Sequence, residues 1–401
     1  MSTKRFGARS ARFESLEQKQ LLAGDVLVSV VAGNLIVQGD DLDNQIAITA
    51  GEQPGSYVVA GLGGTLVHLA DGTAGGPANA EAPDVAVVVE GVQRGARIAM
   101  GDGNDTVALN RVAFRGDVAL QTEGGDDRVL IGAPLPEPPG PPPAAVDEAL
   151  SGEVVADPPP EHRSVAIGGS LRIGTGEGND RVVVGHALVR GQLAVATGIG
   201  DDHVVLGAPP ADTSPPDPVA ADATAGTANT NGQMPLARRA LRVGGAIHVR
   251  LGAGQDSLVA DQVAARAGLL ANGGDGDDVI GVRHANLGGL LSIFGGLGDG
   301  ADRVVMDHVR AELARIATGA GSDEVHIVDS VFGMLGVGLG DGDDSLAVHG
   351  NTARAAVLLG GEGQDTLLGL GDNRFGRQLV RGFELPEMPP DSGGMAPIAA
   401  T

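Results

Sequence analysis

The feature that most constrains this chain is a glycine and aspartate pattern, G-x-G-x-D-x-L, that returns at a near-constant interval through three quarters of its 401 residues. With the last Asp of each copy as the closing aspartate, the copies end at Asp105, Asp127, Asp180, Asp202, Asp256, Asp278, Asp302, Asp323, Asp344 and Asp365. The intervals are 22, 53, 22, 54, 22, 24, 21, 21 and 21 residues. A period near 22 predicts a solenoid, because a unit that short cannot bury its own apolar face and must stack on its neighbours.

The columns of the repeat specify the local structure. Two residues after the closing aspartate every copy is aliphatic: Val107, Val129, Val182, Val204, Leu258, Ile280, Val304, Val325, Leu346 and Leu367. One residue after it only Val279 is apolar. Alternation of that kind predicts a strand with one face inside. A second aliphatic column lies seven residues before the aspartate and is broken at Gly295, in the one copy that carries two extra residues. The glycines two and four places before the aspartate are both present in nine copies, with Glu123 as the exception. Repeated glycine there predicts a turn at positive φ. The expected fold is an all-β, right-handed parallel β-helix or β-roll-like solenoid of about ten rungs, a rod of roughly 48 Å at about 4.8 Å per rung.

The two long intervals contain one rung plus an insert each, at 133–163 and 208–239, and hold sixteen of the 23 prolines. Their Pro, Ala, Asp and Thr content predicts external loops without a core of their own. Residues 25–100 lack the turn glycines and read as a strand-rich cap with degenerate rungs, one of them starting at Asp84. The regular ladder occupies 101–385, with Phe375 and Phe383 as a plug over its last rung, and 386–401 reads as a tail. The formal charge of −24 argues against nucleic acid or an anionic membrane as partner. With only Lys4 and Lys19 as lysines, a P-loop is excluded, and with no cysteine so are disulfides and thiolate metal sites. No apolar run is long enough for a transmembrane helix.

The repeat resembles the calcium-binding nonapeptide G-G-x-G-x-D-x-U-x of repeat-in-toxin (hemolysin-type) proteins, best at 273–281 and 360–368. That resemblance implies Ca²⁺ held between successive turns by the Asp and by backbone carbonyls. Here a rung carries one such turn where that family has two, which leaves one row of ions along one edge. The chemistry is consistent, since Ca²⁺ takes six to eight oxygens. The residues so implicated are Asp105, Asp180, Asp202, Asp256, Asp275, Asp277, Asp278, Asp299, Asp302, Asp323, Asp341, Asp343, Asp344 and Asp365, while the Asp127 turn, short of one glycine, is the poorest match. Acids stacked about 5 Å apart repel unless a cation lies between them. The competing reading is that Asp and Gly serve the turn alone, by hydrogen bonding to its backbone.

The segment F-E-S-L-E-Q-K-Q-L-L at 13–22 resembles the F-E-x-L-E-x-R-x-L-L motif of planctomycete surface and secreted proteins, with Lys19 in place of Arg. It implies export, to the cell surface or beyond. A second polar corner follows each strand, with Asn110, His186, Asp261, His284, His308, Asp329 and His349; His284 and His308, one rung apart, could share a transition metal. The expected function is that of an exported, calcium-binding structural or adhesive surface protein, not an enzyme, with other surface proteins or polysaccharide as partners. A polysaccharide lyase or hydrolase on the same fold is the alternative class, against which stands the absence of Trp and a total of eight Phe and Tyr.

Overall fold

The computed structural model describes residues 24–70, 86–134, 164–207, 241–296 and 298–384. The export-type segment, almost all of both inserts and the tail lie outside the described residues. Within them the chain is a β-solenoid of about ten turns, strand throughout except for a single 3-10 turn at Leu370–Asp372.

Each closing aspartate opens one strand of a 13-stranded sheet, and these ten strands pair in parallel with one another. Thus Val107, Val129, Val182, Val204 and Leu258 stand in one register column, and Ile280, Val304, Val325, Leu346 and Leu367 continue it. All are buried. A second inward column, two residues further on, runs from Leu109 and Ile131 to Ile327 and Val348. The rest of each rung lies in a 21-stranded sheet, as a short and a long strand in the early rungs and as single eleven-residue strands, Arg310–Ala320, Val331–Asp341 and Thr352–Glu362, in the late ones. Its inward column is Ile98, Leu120, Ile173, Val195, Val249, Ala271, Ile293, Ile316, Val337, Leu358 and Val380. Ile293 fills the place where the sequence count put Gly295, because the two extra residues fall in the turn after it.

Two departures have clear causes. The rung that precedes Asp105 in the 13-stranded sheet is not the one after Asp84: the strand Thr106–Asn110 pairs in parallel with Gln45–Ala50. The strand Ala86–Val89 instead pairs antiparallel with Tyr57–Gly61, which pairs antiparallel with Gln45–Ala50. These antiparallel strands pair the outer edge of Gln45–Ala50 and leave the short strand Ala86–Val89 as the last of the sheet. On the outer face, moreover, Ala108, Leu130, Val183 and Val205 are buried and pack with Ala133, so strict alternation of polar and apolar residues fails there. At the other end Leu370, Phe375, Val380 and Phe383 pack on the core, in line with the expected plug.

Candidate functional site

The glycine turns run along one edge of the rod, and their backbone sets what can sit there. At the Asp344 turn Gly340 and Gly342 have φ of 122° and 139°, where a side chain is strained. A Cβ on Gly340 would also run into the carbonyl oxygen of Gly319 one rung back. Glu123, the exception in sequence, itself takes φ 73°. The turn shape is therefore kept at that rung with a strained side chain, by roughly 1–2 kcal/mol.

The closing aspartates turn inward from this edge. Asp105, Asp127, Asp180, Asp202, Asp256, Asp278, Asp302, Asp323, Asp344 and Asp365 are all at most 4% exposed. In each, Oδ1 accepts the backbone N–H of the closing aspartate one rung earlier: Asp256 N–H to Asp278 at 3.0 Å, Asp278 N–H to Asp302 at 3.0 Å, Asp302 N–H to Asp323 at 2.8 Å. The chain of bonds is continuous from Asn44, whose N–H binds Asp105 at 2.8 Å, to Asp365, which accepts from Asp344 at 3.1 Å. In nine of the ten the other oxygen, Oδ2, has no hydrogen-bond partner. Burial therefore dominates and pushes these carboxyls up: Asp105 to about 8, Asp180, Asp278 and Asp302 to about 7, Asp127, Asp256 and Asp344 to about 6. The N–H bonds oppose the rise, whereas the nearby hydroxyls of Thr122, Thr175 and Thr197 donate to the carbonyls of Thr175, Thr197 and Leu251. Neighbouring aspartates reinforce it, as at Asp278 between Asp256 and Asp302.

One residue earlier runs a second, exposed ladder. Asn104 N–H binds Asp43 at 2.8 Å, Asp126 N–H binds Asn104 at 2.7 Å, Asn179 N–H binds Asp126 at 2.8 Å and Asp201 N–H binds Asn179 at 2.7 Å. The same bond recurs at Asp201, Asp277 and Asp343. Here the seven accepting side chains reach forward to the next rung, whereas the buried aspartates reach back. The column reads Asp43, Asn104, Asp126, Asn179, Asp201, Gln255, Asp277, Ala301, Ser322, Asp343, Gln364, so no two acids in it are neighbours. Charges are thereby kept two rungs, about 9.6 Å, apart.

The third column, three residues before the closing aspartate, has no such spacing. Asp341 stands opposite Glu362 in register, and Asp275 and Asp299 each lie three residues before the closing aspartate of consecutive rungs. All four are exposed or half exposed. The fourteen aspartates singled out in the sequence thus divide into nine buried ladder members and five, Asp275, Asp277, Asp299, Asp341 and Asp343, at the solvent side of the turn. The direction of the ladder side chains was not visible in the sequence, although the Asp-Asn-Asp-Asn alternation was there to be read.

Neither a protein-family profile nor a curated protein nor a solved structure matches this chain.

Proposed function

We propose that the chain is an exported structural or adhesive solenoid of the cell surface that binds Ca²⁺ on the solvent side of its glycine edge, at Asp341, Asp343 and Glu362 and at Asp275, Asp277 and Asp299. The observation that carries the reading is the register pair Asp341 and Glu362. Like charges directly opposite on adjacent strands are unfavourable, and a divalent cation between them reverses the sign. Turn carbonyls beside the carboxylates supply further hard oxygen ligands of the kind Ca²⁺ takes. Export is supported by the 13–22 segment. A non-catalytic role is supported by the position of the closing carboxyls, which face a packed interior.

A second reading has its own observation. Every closing Oδ1 already holds an N–H, and the exposed ladder spaces its charges, so both ladders can stand without a metal. Melting curves of the full chain in 10 mM Ca²⁺ and in chelator decide between them. With extracellular-type affinity near 10⁻³ M, each occupied site should raise the melting temperature by about 2 °C. The pair Asp341→Asn with Glu362→Gln should remove its share of that rise; identical curves in Ca²⁺ and chelator leave the metal-free ladder.

A further inference from the structure

The opposite corner, after each strand of the 13-stranded sheet, carries a different set of donors. The strands Ser257–Asp261, Val279–Arg283 and Arg303–Asp307 lie side by side in parallel register. They deliver Asp261, His284, and Asp307 with His308 to three consecutive rungs. His284 and His308 take φ of 45° and 51°, the left-handed bend by which the backbone rounds this corner. Their rings stack, with centroids 5.5 Å apart and planes 24° from parallel. One ring nitrogen of each and a carboxylate oxygen of Asp307 lie within 4.8 Å of one another. The side chains of the three are 32–37% exposed, reachable from solvent yet supported by the corner.

We propose that His284, His308 and Asp307 form a binding site for a borderline divalent transition ion, of which Zn²⁺ is the representative. Two imidazoles and one carboxylate are the three-ligand set that leaves a fourth, water-filled position on zinc. Imidazole nitrogen discriminates against Ca²⁺, whose preferred ligands are oxygens, so this corner and the glycine edge sort two kinds of ion. The His284 ring is oriented by Asp261, whose Oδ1 lies 2.9 Å from its Nδ1. A carboxylate on the far side of a ligating imidazole fixes the ring and its tautomer and raises its basicity. His308 Nδ1 lies 2.5 Å from Asp307 Oδ1, a contact between two ligands that the ion replaces on binding. Nitrogen to zinc is about 2.0–2.1 Å, so the donors must draw together on binding, which half-exposed rings can do by side-chain rotation. Arg283, in register with Asp307, is the opposing charge. Zinc at this corner does not depend on calcium at the other edge.

Calorimetric titration of the full chain with ZnCl₂ at pH 7.4 in 10 mM Ca²⁺ tests the site. One saturable site is expected that Ca²⁺ does not compete for. His284→Ala and His308→Ala should each weaken it at least tenfold, and Asp261→Asn should weaken it by about 10–100-fold without touching the ion. Arg283→Gln should tighten it, and His349→Ala, at the same corner two rungs beyond His308, should leave it unchanged. As a readout that needs no variant, Co²⁺ bound to the unaltered chain should show the intense visible bands of four- or five-coordinate nitrogen and oxygen ligation and lose them to Zn²⁺. No saturable zinc binding, binding that survives in the His284→Ala, His308→Ala double variant, or a weak octahedral Co²⁺ spectrum would each overturn the assignment.

Discussion

Two corners of the rod solve one problem with different side chains. At the glycine edge a buried aspartate takes the N–H of the rung before it. At the far corner of the last rungs, Ser330 N–H binds Asn351 Oδ1 at 2.9 Å and Asn351 N–H binds Asn373 Oδ1 at 2.9 Å. The bond to the backbone is the same, but the second atom of the side chain fares differently. Asn351 Nδ2 donates to the Ile327 carbonyl at 2.7 Å and Asn373 Nδ2 to that of Val348 at 2.9 Å. In nine of the ten closing aspartates Oδ2 has no partner. An amide thus closes its corner at any pH, whereas an acid closes it best when it carries a proton.

The largest effect is expected where the amide is removed. Asn351→Leu leaves the buried Ser330 N–H without its acceptor and should lower stability by about 1–3 kcal/mol, measured by urea unfolding and equal at pH 5 and pH 9. A loss that varied with pH would break the comparison.

Next comes pH itself. The aspartates with raised values, about 6 to 8 in the fold, keep protons that the unfolded chain has released above its ordinary value near 4. Stability is therefore full below about pH 4 as far as these groups are concerned, and falls as pH rises through 6 to 8. The melting temperature should be higher at pH 5 than at pH 9, and Asp278→Asn should flatten part of that slope. A melting temperature that rises across this range would show that the ladder is ionised and otherwise compensated.

The smallest effect is expected at the exposed ladder. In chelator, Asp343→Asn keeps an acceptor for Gln364 N–H and removes a charge spaced from the other acids of its column, so the change should stay within about 0.5 kcal/mol. A larger change would mean that the solvent-side ladder bears on stability as the buried one does.

Period, strand position and inward columns were legible because each recurs in ten copies, and even the broken column at Gly295 pointed to its cause. The direction of the closing aspartate was not. Sequence places it at a turn, where an acid is ordinarily solvated, and nothing in a single copy shows that the neighbouring rung offers it an N–H at hydrogen-bond distance. The asparagine corner was hidden for a different reason: Ser330, Asn351 and Asn373 form a column only three rungs long, too short to stand out as a period. The cap misled because the apolar run at 85–89 looks the same whether its strand pairs in parallel or antiparallel.

The opposite reach of the two aspartate ladders bears on how the rod behaves under load. A rung pulled toward one end stretches the tethers of both ladders on the side it leaves; in one the acceptor lies on the moving rung, in the other on the rung left behind, and a pull toward the other end exchanges their parts. Where both ladders are present, a rung is held against slippage by bonds set a single residue apart. Tension applied along the axis should therefore peel rungs off the ends in sequence, as evenly spaced steps in a force trace, before the middle of the stack gives way.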